Sequence, residues 1–286
     1  MSPHWAAALI IVSALLHAGW NALLHAHQQR AREATSVVLM VSFGLSVVAA
    51  LATTGSLPWQ LYGSGWVWLS GLSEGVYFLS LGIVYQRLSL GLGYLMMRGL
   101  SMLGVTLCSV LWLGEQLSPV KIAGMAAIAS GVILRSISDS GPRGPPDRLG
   151  LAAALGCAFG IGGYHIAYGR ALEQGHAPLT LFAASLSLAL LVNLLVLGPR
   201  WARDAFGACR GHLGALTLAA FICLGAFWLF LRCLGAIDAG AAICLRNLSV
   251  VFAQALAWAA GERRTVKAGL AVAFFVLGGG LLVLAP

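Results

Sequence analysis

The chain has 286 residues, of which 59% are hydrophobic and only 9% charged, against roughly 25% charged in an ordinary soluble domain. So little charge cannot keep a globular surface in water, which excludes the soluble classes and leaves an integral membrane protein. The net charge of +8 does not argue for nucleic acid, because the basic residues fall singly or in pairs between apolar runs and are not clustered with stacking aromatics.

Taken in order, apolar runs long enough to span a bilayer cover 4–25, 34–53, 64–86, 90–113, 119–136, 149–171, 177–198, 213–234, 239–260 and 266–285. Each is close to the ~20 residues that a membrane helix needs. The first run starts without a basic leader and is expected to be a retained helix, not a cleaved signal. Gly71-xxx-Gly75 and Gly156-xxx-Gly160 are small-xxx-small steps that let helices approach closely. The segment from Gly198 to His212 predicts a short amphipathic helix at the interface, with Trp201 and Phe206 inserted. Cys108, Cys157, Cys209, Cys223, Cys233 and Cys244 show no metal or redox spacing, and five of them sit inside apolar runs as small packing residues.

One connection stands apart. Ile137 to Arg148 reads ISDSGPRGPPDR, a Pro- and Gly-rich linker that divides the chain into residues 1–136 and 149–286, five apolar runs on each side. The halves repeat: YLMMRGLSML from Tyr94 answers AICLRNLSVV from Ala242, so Arg98, Leu100 and Ser101 match Arg246, Leu248 and Ser249. Gly114-Glu115 answers Gly261-Glu262, Lys121 answers Lys267, and Gly19-Trp20-Asn21 lies opposite Gly163-Tyr164-His165. An odd number of helices per half makes the second repeat enter the membrane inverted. The expected fold is all-α integral membrane, with ten transmembrane helices as two inverted five-helix repeats.

The basic residues divide by side. Arg30, Arg32, Arg87, Arg135, Arg143, Arg148, Arg200, Arg203, Arg210, Arg263, Arg264 and Lys267 fall on one face; Lys121, Arg170 and Arg232 fall on the other. The positive-inside rule puts the first group in the cytoplasm and both termini outside it, in a cytoplasmic (inner) membrane. Trp59, Tyr62 and Trp66, on the sparser face, suit an interfacial aromatic belt.

Ten helices in two repeats, each with a Gly-Glu step after its fourth helix, resemble the EamA-type branch of the drug/metabolite transporter superfamily. His17-Ala18-Gly19-Trp20-Asn21-Ala22-Leu23-Leu24, Tyr94-xxx-Arg98-Gly99 and Arg246-x-x-Ser249-Val250 resemble one subgroup of it, and the likeness covers essentially the whole chain. It implies secondary transport, often export, of amino acids or other small metabolites through a central cavity between the halves. It also implies cytoplasmic termini, opposite to the charge count, and the charge count is the expectation retained.

Arg98 and Arg246 are the foremost candidates for substrate binding. A charge inside a membrane helix costs at least ~2.5 kcal/mol, so it faces a partner or an aqueous cavity. Inversion places one on each side of the midplane, roughly 10 Å apart at 1.5 Å per residue; the alternative is that each ties helices together. Glu74 is the one carboxylate at mid-membrane. It is a candidate for proton coupling, since a carboxyl away from water can be used in either protonation state, or else a fixed counter-ion of an arginine. Two cations against one anion leave a surplus that favours an anionic substrate.

His17, Trp20 and Asn21 share one face of the first helix, Tyr164, His165 and Tyr168 form a similar face on the sixth, and Tyr77 is a turn from Glu74. These residues are candidate cavity lining or, in the plainer reading, helix ties. Glu115 and Glu262, at helix ends beside glycine, are expected to organise turns.

No GxxxxGK[ST] pattern points to ATP, and neither cofactor, metal nor nucleic acid is expected. The partners expected are a small-molecule substrate, the lipid bilayer and protons, with the chain a monomer or homodimer. The competing reading is a membrane-embedded enzyme acting on a lipid-linked phosphate or acyl group, which needs a cluster of nucleophile, base or metal ligands near one interface. Here the polar groups are spread over several helices, and a non-enzymatic transporter is the expectation.

Overall fold

The computed structural model describes residues 2–55, 59–112, 116–138, 147–234, 236–237 and 239–284. Gly114, Glu115 and linker residues 139–146, singled out above, lie outside the described residues.

The hydropathy pattern becomes helix almost throughout, because a chain in hydrocarbon must satisfy its own backbone polar groups. In order, the α-helices are α1 (Pro3–His25), α2 (Ala31–Thr54), α3 (Gly65–Arg87), α4 (Leu90–Trp112), α5 (Pro119–Ser138), α6 (Arg148–Glu173), α7 (Pro178–Leu197), α8 (Trp201–Ala208), α9 (Leu213–Cys233), α10 (Ala239–Asn247), α11 (Ser249–Ala259) and α12 (Val266–Leu284). Among the described residues nine helices are long and apolar enough to cross a membrane, so this is an all-α, multi-pass membrane protein. Local chemistry sets the ends. Pro3 and Pro178 sit in first turns, where no amide donor is needed. Asp147 Oδ1 accepts from the Gly150 N–H at 2.6 Å and caps α6, and Gly198 ends α7 at φ +86°, a backbone that favours glycine.

The run expected to cross as one helix over 239–260 is not continuous. It is broken between α10 and α11 at Leu248, where the N–H bonds turn to i−3 acceptors, Leu248 to Leu245 at 3.2 Å and Val251 to Leu248 at 2.9 Å. One turn tightens toward 3-10 geometry, directly after Arg246 and Asn247. The matching stretch of α4 runs unbroken through Leu100.

In the bundle, α3 packs on α6 and α7, α1 on α9, α10 and α11, α4 on α5, α6 and α11, α2 on α7 and α9, and α5 on α12. The small-xxx-small steps work as expected. A Cβ at Gly71 would fall 2.4 Å from Leu188 Cβ, one at Gly75 2.7 Å from Val192 Cβ, and one at Gly160 2.7 Å from the Ser73 carbonyl oxygen. Two faces of α3 therefore sit against α6 and α7 at a distance only glycine permits.

The short amphipathic helix appears as α8, with one difference. Phe206 is exposed, but Trp201 is half-buried and its Nε1 donates to Ser36 Oγ of α2 at 2.8 Å. Trp201 anchors α8 to the bundle. Arg30 donates to the Ala208 carbonyl, Arg87 pairs with Asp147 at 2.7 Å and Arg135 with Glu262 at 3.1 Å. These contacts gather much of the basic group at one end of the bundle. At the other end Tyr62 Oη bonds Ser187 Oγ at 2.8 Å and Ser64 Oγ donates to Gln174 at 2.9 Å; Trp66 is half-buried there. The six cysteines are free.

Candidate functional site

The polar side chains buried in the middle of the bundle converge from five helices, α1, α3, α4, α6 and α10. On α1, Ser13, His17, Trp20 and Asn21 recur at helical spacing and all are buried. Arg246, in the last turn of α10, meets that face. Its Nη1 donates to Ser13 Oγ and to the Ala226 carbonyl of α9, the latter at 2.8 Å, and its Nη2 donates to His17 Nδ1 at 3.1 Å. Phe227 and Phe230 lie under the guanidinium at 5.3 and 4.9 Å, close enough for cation–π attraction. Arg246 is 1% exposed and largely spoken for.

His17 Nδ1 also accepts from Trp20 Nε1 at 3.0 Å. Indole and guanidinium can only donate, so Nδ1 is the lone-pair nitrogen and the ring proton sits on Nε2. Asn21 turns the other way: its Nδ2 donates to the His17 carbonyl at 2.7 Å, and its Oδ1 accepts from Tyr85 Oη of α3 at 2.6 Å. That pair ties α1 to α3, beside the cluster.

Arg98 has different surroundings. It is 2% exposed, yet neither terminal nitrogen makes a hydrogen bond of ordinary geometry, the Tyr94 hydroxyl being only a weak neighbour. The Tyr94 ring is 5.9 Å from its guanidinium carbon, and Tyr164 and Tyr77 are within electrostatic range. The hydroxyls of Tyr94 and Tyr164 and Nε2 of His165 are likewise buried without a partner. Polar groups that cost free energy when left unmade are thus concentrated around Arg98.

Glu74, on α3, is completely buried; its Oε1 accepts from Tyr168 Oη at 3.0 Å and its Oε2 accepts nothing. It forms no described ion pair with either arginine, although Arg246 is in electrostatic range. The two arginines are within range of each other. Phe227 joins the parts, its ring 5.7 Å from His17, 5.8 Å from Tyr164 and 6.5 Å from Tyr168, while Tyr77 meets Tyr164 edge-on at 5.8 Å.

The structure therefore brings together His17, Trp20, Tyr77, Arg98, Tyr164, His165, Tyr168, Arg246 and Glu74 in one cluster, and leaves Asn21 at its edge. Sequence reasoning passed over Ser13 and Phe227, and quoted Tyr94 only as part of a motif without placing it in the site. A serine or phenylalanine in an apolar run carries no local signal; Tyr94, one turn before Arg98 on the same face, could have been found by helical spacing. Among the described residues no group of three His, Cys, Asp or Glu side chains could hold a metal ion.

The chain matches no known protein-family profile. It is similar to a solved structure described only as a crystal structure of a protein, with 19% identity and a TM-score of 0.63 over 96% of this chain and 94% of that one. At that identity the likeness speaks for the fold alone.

Proposed function

We propose that the chain is a secondary transporter, of the EamA type within the drug/metabolite transporter superfamily, that moves a small organic anion, amino acid or related metabolite by alternating access, most simply as an exporter. The observation that carries this reading is Arg98: a buried cation with free terminal nitrogens, surrounded by unpartnered phenols and an imidazole nitrogen at the middle of a membrane bundle. An acceptor-rich group such as a carboxylate would satisfy these donors together, and a guanidinium offers it planar, bidentate contact. With one buried carboxylate against two arginines and a neutral His17, the surplus charge favours an anion.

Two inverted five-helix repeats, 1–136 and 149–286, are proposed as the moving parts. Support comes from the packing. Shifting every membrane segment by five exchanges α3·α6 for α9·α1, α3·α7 for α9·α2, and α4·α6 for the α10–α11 pair on α1, while α2·α7, α5·α12 and α4·α11 map onto themselves. Such pairing is what two repeats meeting around a central site require. The ninth crossing in chain order, which brings the nine long helices to ten in this scheme, is the broken α10–α11 segment. Glu74, with one free carboxylate oxygen facing the same cluster, is proposed as the proton-coupling group. The polar groups lie at mid-bundle instead of at one interface, which favours transport over chemistry on a lipid-linked phosphate or acyl group.

The test is uptake of labelled anions and amino acids into proteoliposomes, with and without a pH gradient. The expected result is saturable uptake of at least one carboxylate compound, with accumulation under a gradient lost in Glu74→Gln while exchange persists. No transport of any compound at confirmed reconstitution would overturn the reading.

A further inference from the structure

A second knot of buried polar groups lies away from the central cluster, at the arginine-rich end. Glu262, just beyond α11, is engaged through both carboxylate oxygens: Oε2 accepts from Arg135 Nη2 at 3.1 Å and Oε1 from the backbone N–H of Gly91 at 3.2 Å. Arg135, in the last turn of α5, also reaches Ser89 Oγ at 3.4 Å and is 5% exposed. Gly91 is in the first turn of α4, where backbone N–H groups have no partner within the helix and a carboxylate is favoured. The fit is tight. A Cβ at Gly91 would fall 2.6 Å from Gln254 Oε1 and 2.9 Å from Arg135 Nη2.

The knot joins the start of α4, the end of α5 and the end of α11, segments from both sides of the linker. Arg98 lies on α4 seven residues past Gly91, about 10 Å along the helix at 1.5 Å per residue. Arg246 lies on α10, which continues through the Leu248 turn into α11. The ends tied together are therefore those of the two segments that carry the central arginines. The buried amide of Gln254, on α11, makes no hydrogen bond, so a polar group stands beside Gly91 ready to take over a partner that Glu262 releases.

We propose that Glu262, held by Arg135 and the Gly91 amide, is the lock of a gate at the arginine-rich end, closed in this structure and broken when the central cluster opens to that side. Its use rests on the transport reading, but its test does not.

Ser101, one turn past Arg98 and 6% exposed, is replaced by cysteine in a background with the partly exposed Cys108 and Cys244 changed to alanine. The full chain is placed in sealed vesicles of each orientation, with Arg264→Cys in parallel samples reporting which end faces out, and a membrane-impermeant maleimide is added. From the arginine-rich end, Glu262→Gln and Arg135→Gln should each raise the labelling rate about tenfold, the shift expected when a closed state loses a charge-assisted hydrogen bond. Gly91→Ala, which keeps both charges but displaces the Arg135 and Gln254 side chains, should act in the same direction and covers the case in which a charge-removing variant fails to fold. From the opposite end the rate should not rise. Unchanged labelling from the arginine-rich end, or an equal rise from both ends, overturns the proposal. Because no substrate enters the assay, its failure is separate from a failure of the transport reading.

Discussion

Arg98 and Arg246 occupy matching places in the sequence stretches YLMMRGLSML and AICLRNLSVV and unlike places in the structure. Arg246 is bound by Ser13, the Ala226 carbonyl and His17 over two phenylalanine rings; Arg98 has free terminal nitrogens among tyrosines. The two should therefore respond differently to substitution. Arg98→Gln should leave the protein folded but remove anion uptake, and Arg98→Lys, which keeps the charge and loses the fork, should weaken uptake less. Arg246→Gln removes charged donors from Ser13, His17 and the Ala226 carbonyl, bonds worth about 1.5–3 kcal/mol each, so its main effect should be a lower melting temperature. Uptake at matched amounts of folded protein, alongside thermal unfolding, separates these outcomes; equal behaviour of the two variants contradicts the division of roles. The charges themselves were legible in the sequence, because an arginine in an apolar run stands out. Their difference was not, since it depends on Ser13 and Ala226, which are 233 and 20 residues from Arg246. Glu262 shows the same limit. Its sequence surroundings suggest a turn, while its partner Arg135 lies 127 residues away.

At the scale of the helices, nine of the ten apolar runs appear among the described residues as helices long and apolar enough to cross a membrane, because the bilayer imposes length and apolarity directly. Hydropathy could not reveal the break at Leu248, since AICLRNLSVV contains neither Gly nor Pro and the turn is set by tertiary packing. The glycine steps were legible as close approaches but not as to which neighbour they meet. This gives a contrast between two glycines. Gly160→Ala would place a Cβ 2.7 Å from a backbone carbonyl oxygen of α3, whereas Gly44, in α2, has nothing within 4 Å. The first substitution should force α3 and α6 apart and cost about 1–3 kcal/mol. The second should be neutral or stabilising by up to ~1 kcal/mol, because alanine is the better helix former. Melting temperatures of the two variants in detergent check this, and a Gly160→Ala protein as stable as the parent would show that the helices can separate without cost.

For the whole molecule, the remaining question is which end faces the cytoplasm. Arg30, Arg87 and Arg135 are drawn to one end through Ala208, Asp147 and Glu262, and Arg203 stands exposed beside them on α8. The other end carries fewer, Lys121, Arg170 and Arg232, and Arg170 is paired with Glu173 of its own helix at 3.0 Å. Basic residues near membrane crossings are retained in the cytoplasm, and this imbalance predicts a bundle with α8 and Glu262 inside and the start of α1 outside. That is opposite to what the EamA resemblance implies for the termini, so the experiment decides between two explicit expectations. Arg203→Cys and Glu173→Cys place single thiols on exposed side chains at opposite ends. In intact cells an impermeant maleimide should label Glu173→Cys and spare Arg203→Cys; in inverted vesicles the pattern should reverse. The opposite result would put the arginine-rich end outside, where the inside-positive rule fails for this chain, and the gate closed here would then be the outer one.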